Sequence, residues 1–222
     1  MGDYLSSPPI PLFGESLLLA TQQDFEPANP VEGAAALYYE PDQPLGSGYR
    51  QYDFFQQRID QLKGRVAPNN QKLAIWGCAF GYLVELAVNA GYDAYGFDAS
   101  AYAINRGKQV MPAAIASRLF LRDATVAADV TASRNDAGLK GNTRFALLVT
   151  EDMFTCLTDA EVQTALPLLR GACSANLGHM LTVLERTGTG NDPRINWKSI
   201  AAWKALLAPP DQVIDSTNGA VL

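Results

Sequence analysis

GCAFGYLVELAVNAGYDAYGFDASAYAI, Gly77 to Ile104, is the stretch that decides how this chain is read. It follows KLAIW, Lys72 to Trp76, a short and almost wholly apolar run ending at a glycine, which has the look of a parallel strand buried on both faces. YLVELAVNAG then places Leu83, Leu86, Ala87 and Ala90 on one helical face and stops at Gly91, a helix C-terminal signal. DAYGFD, Asp93 to Asp98, reads as a second strand. A strand, a glycine turn, a helix and a second strand make a βαβ unit with a right-handed crossover and parallel strands. In an open parallel sheet a ligand sits at the carboxyl ends of the strands, near the point where the strand order reverses. Gly77 and Gly81 stand at that end, bracketing a turn that leads straight into a helix with unsatisfied first amides. Asp98 closes the second strand roughly twenty residues after the first glycine, the place where a carboxylate can accept both hydroxyls of a ribose. The bland reading of Asp98 is a cap for the next helix, a role for which Ser100 competes.

Working outward, a helix is expected over Ala101 to Val110, a strand at Arg118 to Leu121 and a stronger one at Phe145 to Thr150. The helix from Asp159 to about Ala175 has Val162, Leu166 and Leu169 in register, with Thr158 as its N-cap. HMLTVLE, opened by the sole histidine, His179, is a fifth strand, and WKSIAAWKALLAP an amphipathic helix. QVIDS is a last strand before the turn signal Asn218-Gly219. Upstream, Tyr52, Phe55, Ile59 and Leu62 recur at helical intervals within Tyr49 to Leu62. Residues 1–48 carry Pro8, Pro9, Pro11, Pro27, Pro30, Pro41 and Pro44 without periodicity and read as an extended arm, with Leu17 to Leu19 as an apolar cluster suited to docking. The expected organisation is therefore the arm over 1–48 and one α/β domain over 49–222, built on a doubly wound, mostly parallel sheet.

Composition narrows the function. A net charge of -6, with no stripe of Lys and Arg, disfavours a nucleic-acid substrate. The 3 cysteines, Cys78, Cys156 and Cys173, form no metal or disulfide spacing and fit a reducing, cytoplasmic setting. No apolar run approaches the ~20 residues of a membrane span, and the first twenty residues lack a basic leader, so no membrane partner is expected.

The segment Gly77 to Ile104 resembles the first two motifs of class I S-adenosylmethionine-dependent methyltransferases: a glycine-rich turn, a helix and an acidic residue closing the second strand. LFLRDAT resembles that family's third strand and the acidic residue after it, here Asp123, and RFALLVTEDMFTCLTDAE its fourth strand and following loop. The resemblance runs over roughly Lys72 to Glu185 and implies a Rossmann-like methyltransferase fold, S-adenosylmethionine as cofactor and a C-terminal antiparallel hairpin, which is expected to be shortened because only three residues follow Asn218-Gly219. It further implies that the donor is held by Gly77, Cys78, Ala79, Gly81 and Tyr82 in the turn, by Asp98 and Ala99, by Asp123 and Ala124 near the adenine, and by Glu151. The sequence departs from the family pattern in several places. Ile75 stands where an acidic residue is usual, Ala79 replaces the middle glycine, Ala146 replaces an aspartate, and Thr155 and Cys156 take the place of a Glu-His pair. A nicotinamide-dependent dehydrogenase is the other owner of such a turn, but G-x-A-x-G is not its GxGxxG fingerprint.

Methyl transfer from a sulfonium is an in-line displacement that demands alignment and water exclusion more than acid-base machinery. Glu151 and Asp152, just beyond the fourth strand, are the candidate catalytic carboxylates, able to orient or deprotonate an acceptor. Cys156 reads as an inert thiol and His179 as structural. The expectation is a methyltransferase of a small-molecule acceptor, with the arm and the loop from Thr187 to Asn196 closing the site. The rival reading is a degenerate, non-catalytic domain that binds a protein partner or its own copy through the arm.

Overall fold

The computed structural model describes residues 52–151, 153–174, 179–183, 198–207 and 212–215. Helix α1 (Tyr52–Arg65) precedes strand β1 (Lys72–Trp76), helix α2 (Tyr82–Asn89), strand β2 (Asp93–Asp98), helix α3 (Ala101–Val110), a single turn α4 (Ala113–Ala116) and strand β3 (Leu119–Leu121). Helix α5 (Ala127–Asp136), strand β4 (Leu147–Glu151), a 3-10 turn (Met153–Cys156), helix α6 (Asp159–Ala172), strand β5 (His179–Val183), helix α7 (Ile200–Leu207) and strand β6 (Gln212–Asp215) follow. The strands form one 6-stranded sheet in the order β3-β2-β1-β4-β5-β6. Every pairing in it is parallel. The order reverses between β1 and β4, and Trp76 stands level with Phe97 on one side and Thr150 on the other, so the carboxyl ends of the three strands meet at the switch point.

Both faces of the sheet are covered, which is why β1 reads as an unbroken apolar run. Ala74, Trp76, Phe97 and Leu148 face one cluster with Val162, Leu166 and Leu169 of α6 and Trp203 of α7. Leu73, Ile75, Ala94, Leu147 and Val149 face the other, with Phe55, Ile59 and Leu62 of α1 and Leu83, Val84 and Ala87 of α2. Each large side chain so enclosed contributes about 1.5–3 kcal/mol, so these two layers supply most of the driving force. Aromatic rings form a spine across the sheet: Trp76 and Phe97 lie with centroids 5.0 Å apart, and Phe97 reaches Phe120 at 5.9 Å and Phe145 at 6.1 Å.

The helix expected before the domain is present and runs on to Arg65. Thr158 caps α6 as expected and does so within a capping box: its hydroxyl accepts from the Glu161 N–H at 3.3 Å, and the Glu161 carboxylate accepts from the Thr158 N–H at 2.7 Å. The strand expected from Phe145 begins instead at Leu147, because Phe145 pairs only as an isolated bridge to Cys173. The strand expected from Arg118 begins at Leu119, and α6 ends at Ala172 rather than near Ala175.

Helix α5 was not foreseen. AADVTASRND has only Val130 and Ser133 buried and no clear apolar stripe, so its helix is decided by packing beside α6 and not by its own pattern. The arm over 1–48, the loop from Thr187 to Asn196 and the turn at Asn218-Gly219 lie outside the described residues. No helix among the described residues is long and apolar enough to cross a membrane.

Candidate functional site

The turn between β1 and α2 is built from left-handed backbone. Gly77, Ala79 and Gly81 have φ of 75°, 48° and 95°. Glycine meets the first and last of these without steric cost, whereas Ala79 carries a Cβ into a region that costs an ordinary residue about 1–2 kcal/mol. Tertiary bonds hold it there. The Gly77 N–H donates to the Phe97 carbonyl at 2.9 Å, and the Gly81 N–H to the Cys78 carbonyl at 2.8 Å. The Ala79 N–H donates to Asp98 Oδ2 at 2.9 Å. Helix α2 then starts at Tyr82 behind Gly81, which has no side chain with which to cap it. The positive end of the helix is thereby left to whatever polar group a ligand brings.

Asp98 joins two elements. Its Oδ1 accepts from the Ser100 N–H at 2.8 Å while Oδ2 holds Ala79. Ser100, and not Asp98, is the N-cap of α3, its hydroxyl accepting from the Ala103 N–H at 3.1 Å. Asp98 is 8% exposed, and burial pushes its pKa up while the bonds from Ser100 and Ala79 pull against that. Among the described residues no ion pair reaches it. Two backbone amides occupy one acceptor position on each oxygen, and a carboxylate has about four. The remaining positions can receive a vicinal diol.

The other expected residues divide by their surroundings. Cys78 and Ala79 are buried, at 6% and 2% exposure, while Gly77, Tyr82 and Ala99 are half-buried. Burial first, and the charge of Asp98 second, hold the Cys78 thiol well above its usual pKa, so it is no nucleophile. Half-buried Asp123 stands beyond β3 in a tight turn, its Oδ1 accepting from the Thr125 N–H at 2.8 Å and the Thr125 hydroxyl at 2.7 Å. Its own N–H donates to Asp129 at 2.9 Å, and the next residue, Ala124, is buried. Leu121 and Val126, 37% and 43% exposed, flank this turn as apolar surface at the edge of the sheet.

Glu151 ends β4, beside β1 at the switch point. Asp152 lies outside the described residues. The following turn buries Phe154 completely and leaves Met153 and Cys156 half-buried. Ile75 is fully buried among Leu83, Val84, Leu147 and Val149, so no polar contact to a ligand can come from the position where the family has its acid. Among the described residues no cluster of His, Cys, Asp and Glu could hold a metal ion.

A glycine turn opening a helix at the switch point, beside a buried carboxylate on the next strand, is a nucleoside-binding arrangement. Comparison of the whole fold narrows it. Magnesium protoporphyrin IX methyltransferase (ChlM) from Synechocystis PCC 6803, solved with bound SAM, superposes with a TM-score of 0.57 at 14% identity, over 83% of this chain and 81% of that one. A TehB-like SAM-dependent methyltransferase from Corynebacterium glutamicum ATCC 13032 superposes at 0.51 with 19% identity, over 79% of each chain. The chain has the S-adenosylmethionine-dependent methyltransferase fold. No protein-family model matches the sequence, and comparison with curated proteins by sequence finds no match.

Sequence reasoning overlooked Gly96, Gly107 and Leu119, which support the turn from beneath. A Cβ at Gly107 would stand 2.7 Å from the Phe80 carbonyl oxygen, so α3 lies directly against the turn. The available signal was a glycine in mid-helix, which costs about 1 kcal/mol against alanine and asks for a packing reason.

Proposed function

We propose that the chain is an S-adenosylmethionine-dependent methyltransferase acting on a small-molecule acceptor in the cytoplasm. The observation that carries this reading is Asp98: a buried carboxylate at the end of β2, without an ion pair among the described residues, bonded to the glycine turn it faces. Leaving such a group buried is costly unless its remaining acceptor positions are used, and a ribose diol would use them. The open N-terminus of α2 suits the polar end of the donor, and Leu121 and Val126 offer apolar surface to an adenine ring beside Asp123. These residues fit the adenosine half well. Ile75 contributes nothing to the amino-acid half, which falls to the turn amides and to Glu151.

The bound cofactor would supply an electrophilic methyl group. The protein's part is to fix the sulfonium against the acceptor and exclude water, which the rigid turn and the Asp98 bonds favour. Glu151 and Asp152, at and just after the end of β4, are assigned to orient the acceptor or take its proton. Magnesium protoporphyrin IX methyltransferase (ChlM) is named for a porphyrin, in keeping with a small-molecule acceptor. The 3 cysteines carry no disulfide or metal spacing, which fits a reducing compartment.

Titration calorimetry with S-adenosylmethionine and S-adenosylhomocysteine is the deciding experiment. Micromolar binding, weakened by about 1–3 kcal/mol in Asp98→Ala, is the expected result. A folded chain that binds neither compound would overturn the assignment and leave a non-catalytic domain.

A further inference from the structure

Leu119, the first residue of β3, is fully buried and stands level with Gly96 of β2. Because Gly96 has no side chain, the isopropyl group of Leu119 occupies the space that one would fill. A Cβ at Gly96 would come within 2.9 Å of Leu119 Cδ2, and within 2.8 Å of both Cys78 Sγ and Val84 Cγ2. The same side chain meets two other glycines. A Cβ at Gly81 would lie 2.8 Å from Leu119 Cδ2 and 3.0 Å from Cδ1, and one at Gly107 would lie 3.0 Å from Cδ1. Thus the turn, a strand and helix α3 each present a glycine to one leucine. Real Cβ atoms essentially never approach within 3.0 Å, so a side chain at Gly81 or Gly96 would displace the Leu119 methyl groups from their seat, and one at Gly107 would also press on the Phe80 backbone.

We propose that Leu119 is a positioning residue whose side chain, seated in the socket of Gly81, Gly96 and Gly107, sets the height at which the β1–α2 turn meets its ligand. The turn needs such a support. It is left-handed at three positions, one of them an alanine, and local preference does not hold it in that shape. Asp98 fastens it through the Ala79 N–H, and the Phe80 carbonyl lies against Gly107. Leu119 supplies a further contact, its methyl groups lying where a Cβ of Gly81 would point, and Gly81 is the residue from which α2 and its open amides begin. The consequence for the ligand rests on the donor-site reading given above, whereas the socket itself does not.

The test uses the full chain with Leu119→Val, which withdraws the branched end of the side chain while keeping a strand-forming residue. Val162→Ala, buried in the cluster on the opposite face of the sheet, serves as the control for a general loss of stability. Two quantities are read: amide hydrogen exchange at Ala79 and Gly81, and the affinity for S-adenosylhomocysteine by calorimetry. In Leu119→Val, exchange at these amides should quicken and affinity should fall, each by about tenfold beyond the control, since the cavity opens directly beneath the turn. The control should keep the wild-type affinity within about twofold, because distant sites act independently. Leu119→Met, which preserves volume, should behave as wild type.

If Leu119→Val unfolds, Gly107→Ala replaces it, pressing on Phe80 from the other side with the same turn-specific signature expected. Turn exchange no faster than in the control, or faster exchange with affinity intact, would overturn the positioning role. A wild-type chain that binds no S-adenosylhomocysteine, while Leu119→Val still loosens the turn, would uphold the socket and sink the donor-site reading instead.

Discussion

Asp93 and Asp98 stand at opposite ends of β2, and the protein treats them in opposite ways. At the amino end, Lys72 Nζ and Arg118 Nη1 each lie 2.5 Å from an Asp93 oxygen, and both cations also sit over the Tyr95 ring at about 5 Å. Burial would raise the Asp93 pKa, but the bonds from Arg118 and then Lys72 outweigh it and hold the carboxyl below its usual range. At the carboxyl end, Asp98 has two backbone amides and deeper burial, and its pKa is raised. A carboxylate meant only to tie strands together is neutralised by cations and left at the rim. Asp98, proposed to meet the donor, is held by amides that fix its direction without cancelling its charge. The difference supports the proposal that one end of β2 serves structure and the other the donor site.

The sharpest way to break this contrast is Asp98→Ala. It orphans the Ala79 and Ser100 amides in a buried place, at about 1–3 kcal/mol for each. Chemical denaturation should show that loss, and calorimetry a fall in S-adenosylhomocysteine affinity. Retained binding would mean that the two aspartates do not differ in function. Gly107→Ala is expected to cost about 1–3 kcal/mol by forcing a methyl group against the Phe80 carbonyl, seen as a lowered melting temperature.

Asp93→Asn should cost only about 0.5–1 kcal/mol, since the pair with Lys72 and Arg118 is partly open to solvent, and should leave ligand affinity unchanged. Any effect of that variant on binding would dissolve the division between the two ends. Ala79→Gly is an effect of similar size and has the opposite sign. Relief of the left-handed alanine exceeds the added chain entropy, giving a gain of about 0.5–1 kcal/mol in denaturation.

The two ends also predict opposite responses to pH. The stabilisation from Asp93 is present above the ordinary carboxylate range and is lost as pH falls through its lowered folded pKa. The contribution of Asp98 has the reverse sign, present below the ordinary range and lost as pH rises through its raised folded pKa. Denaturation against pH should therefore lose part of its acid-side slope in Asp93→Asn. In Asp98→Asn it should instead lose part of the decline above the carboxylate range.

Much of the site could be read before the fold was known, because its markers are local. Gly77, Gly81 and Asp98 are spaced by one strand-turn-helix-strand unit, and that unit's length is set by helix and strand geometry alone. Asp123, two residues beyond a short strand, was marked instead by the resemblance of LFLRDAT to the family's third strand and the acid after it. What the spacing left open was whether Asp98 capped α3, and the structure gives that task to Ser100. Cys78 stood in the same run of letters as its neighbours, yet its side chain turns into the core, because alternation within a turn of mixed φ cannot be read from residue type.

The sequence by itself determined the parallel α/β class, the turn and its aspartate, since each depends on period, composition and spacing within about thirty residues. Tertiary structure alone decided three things: helix α5, which has no apolar stripe of its own; the opposed electrostatics of Asp93 and Asp98; and the meeting of Gly81, Gly96 and Gly107 on Leu119. Their common physical reason is that burial, pKa and close approach depend on atoms brought together from distant parts of the chain, and no pattern within one segment records them.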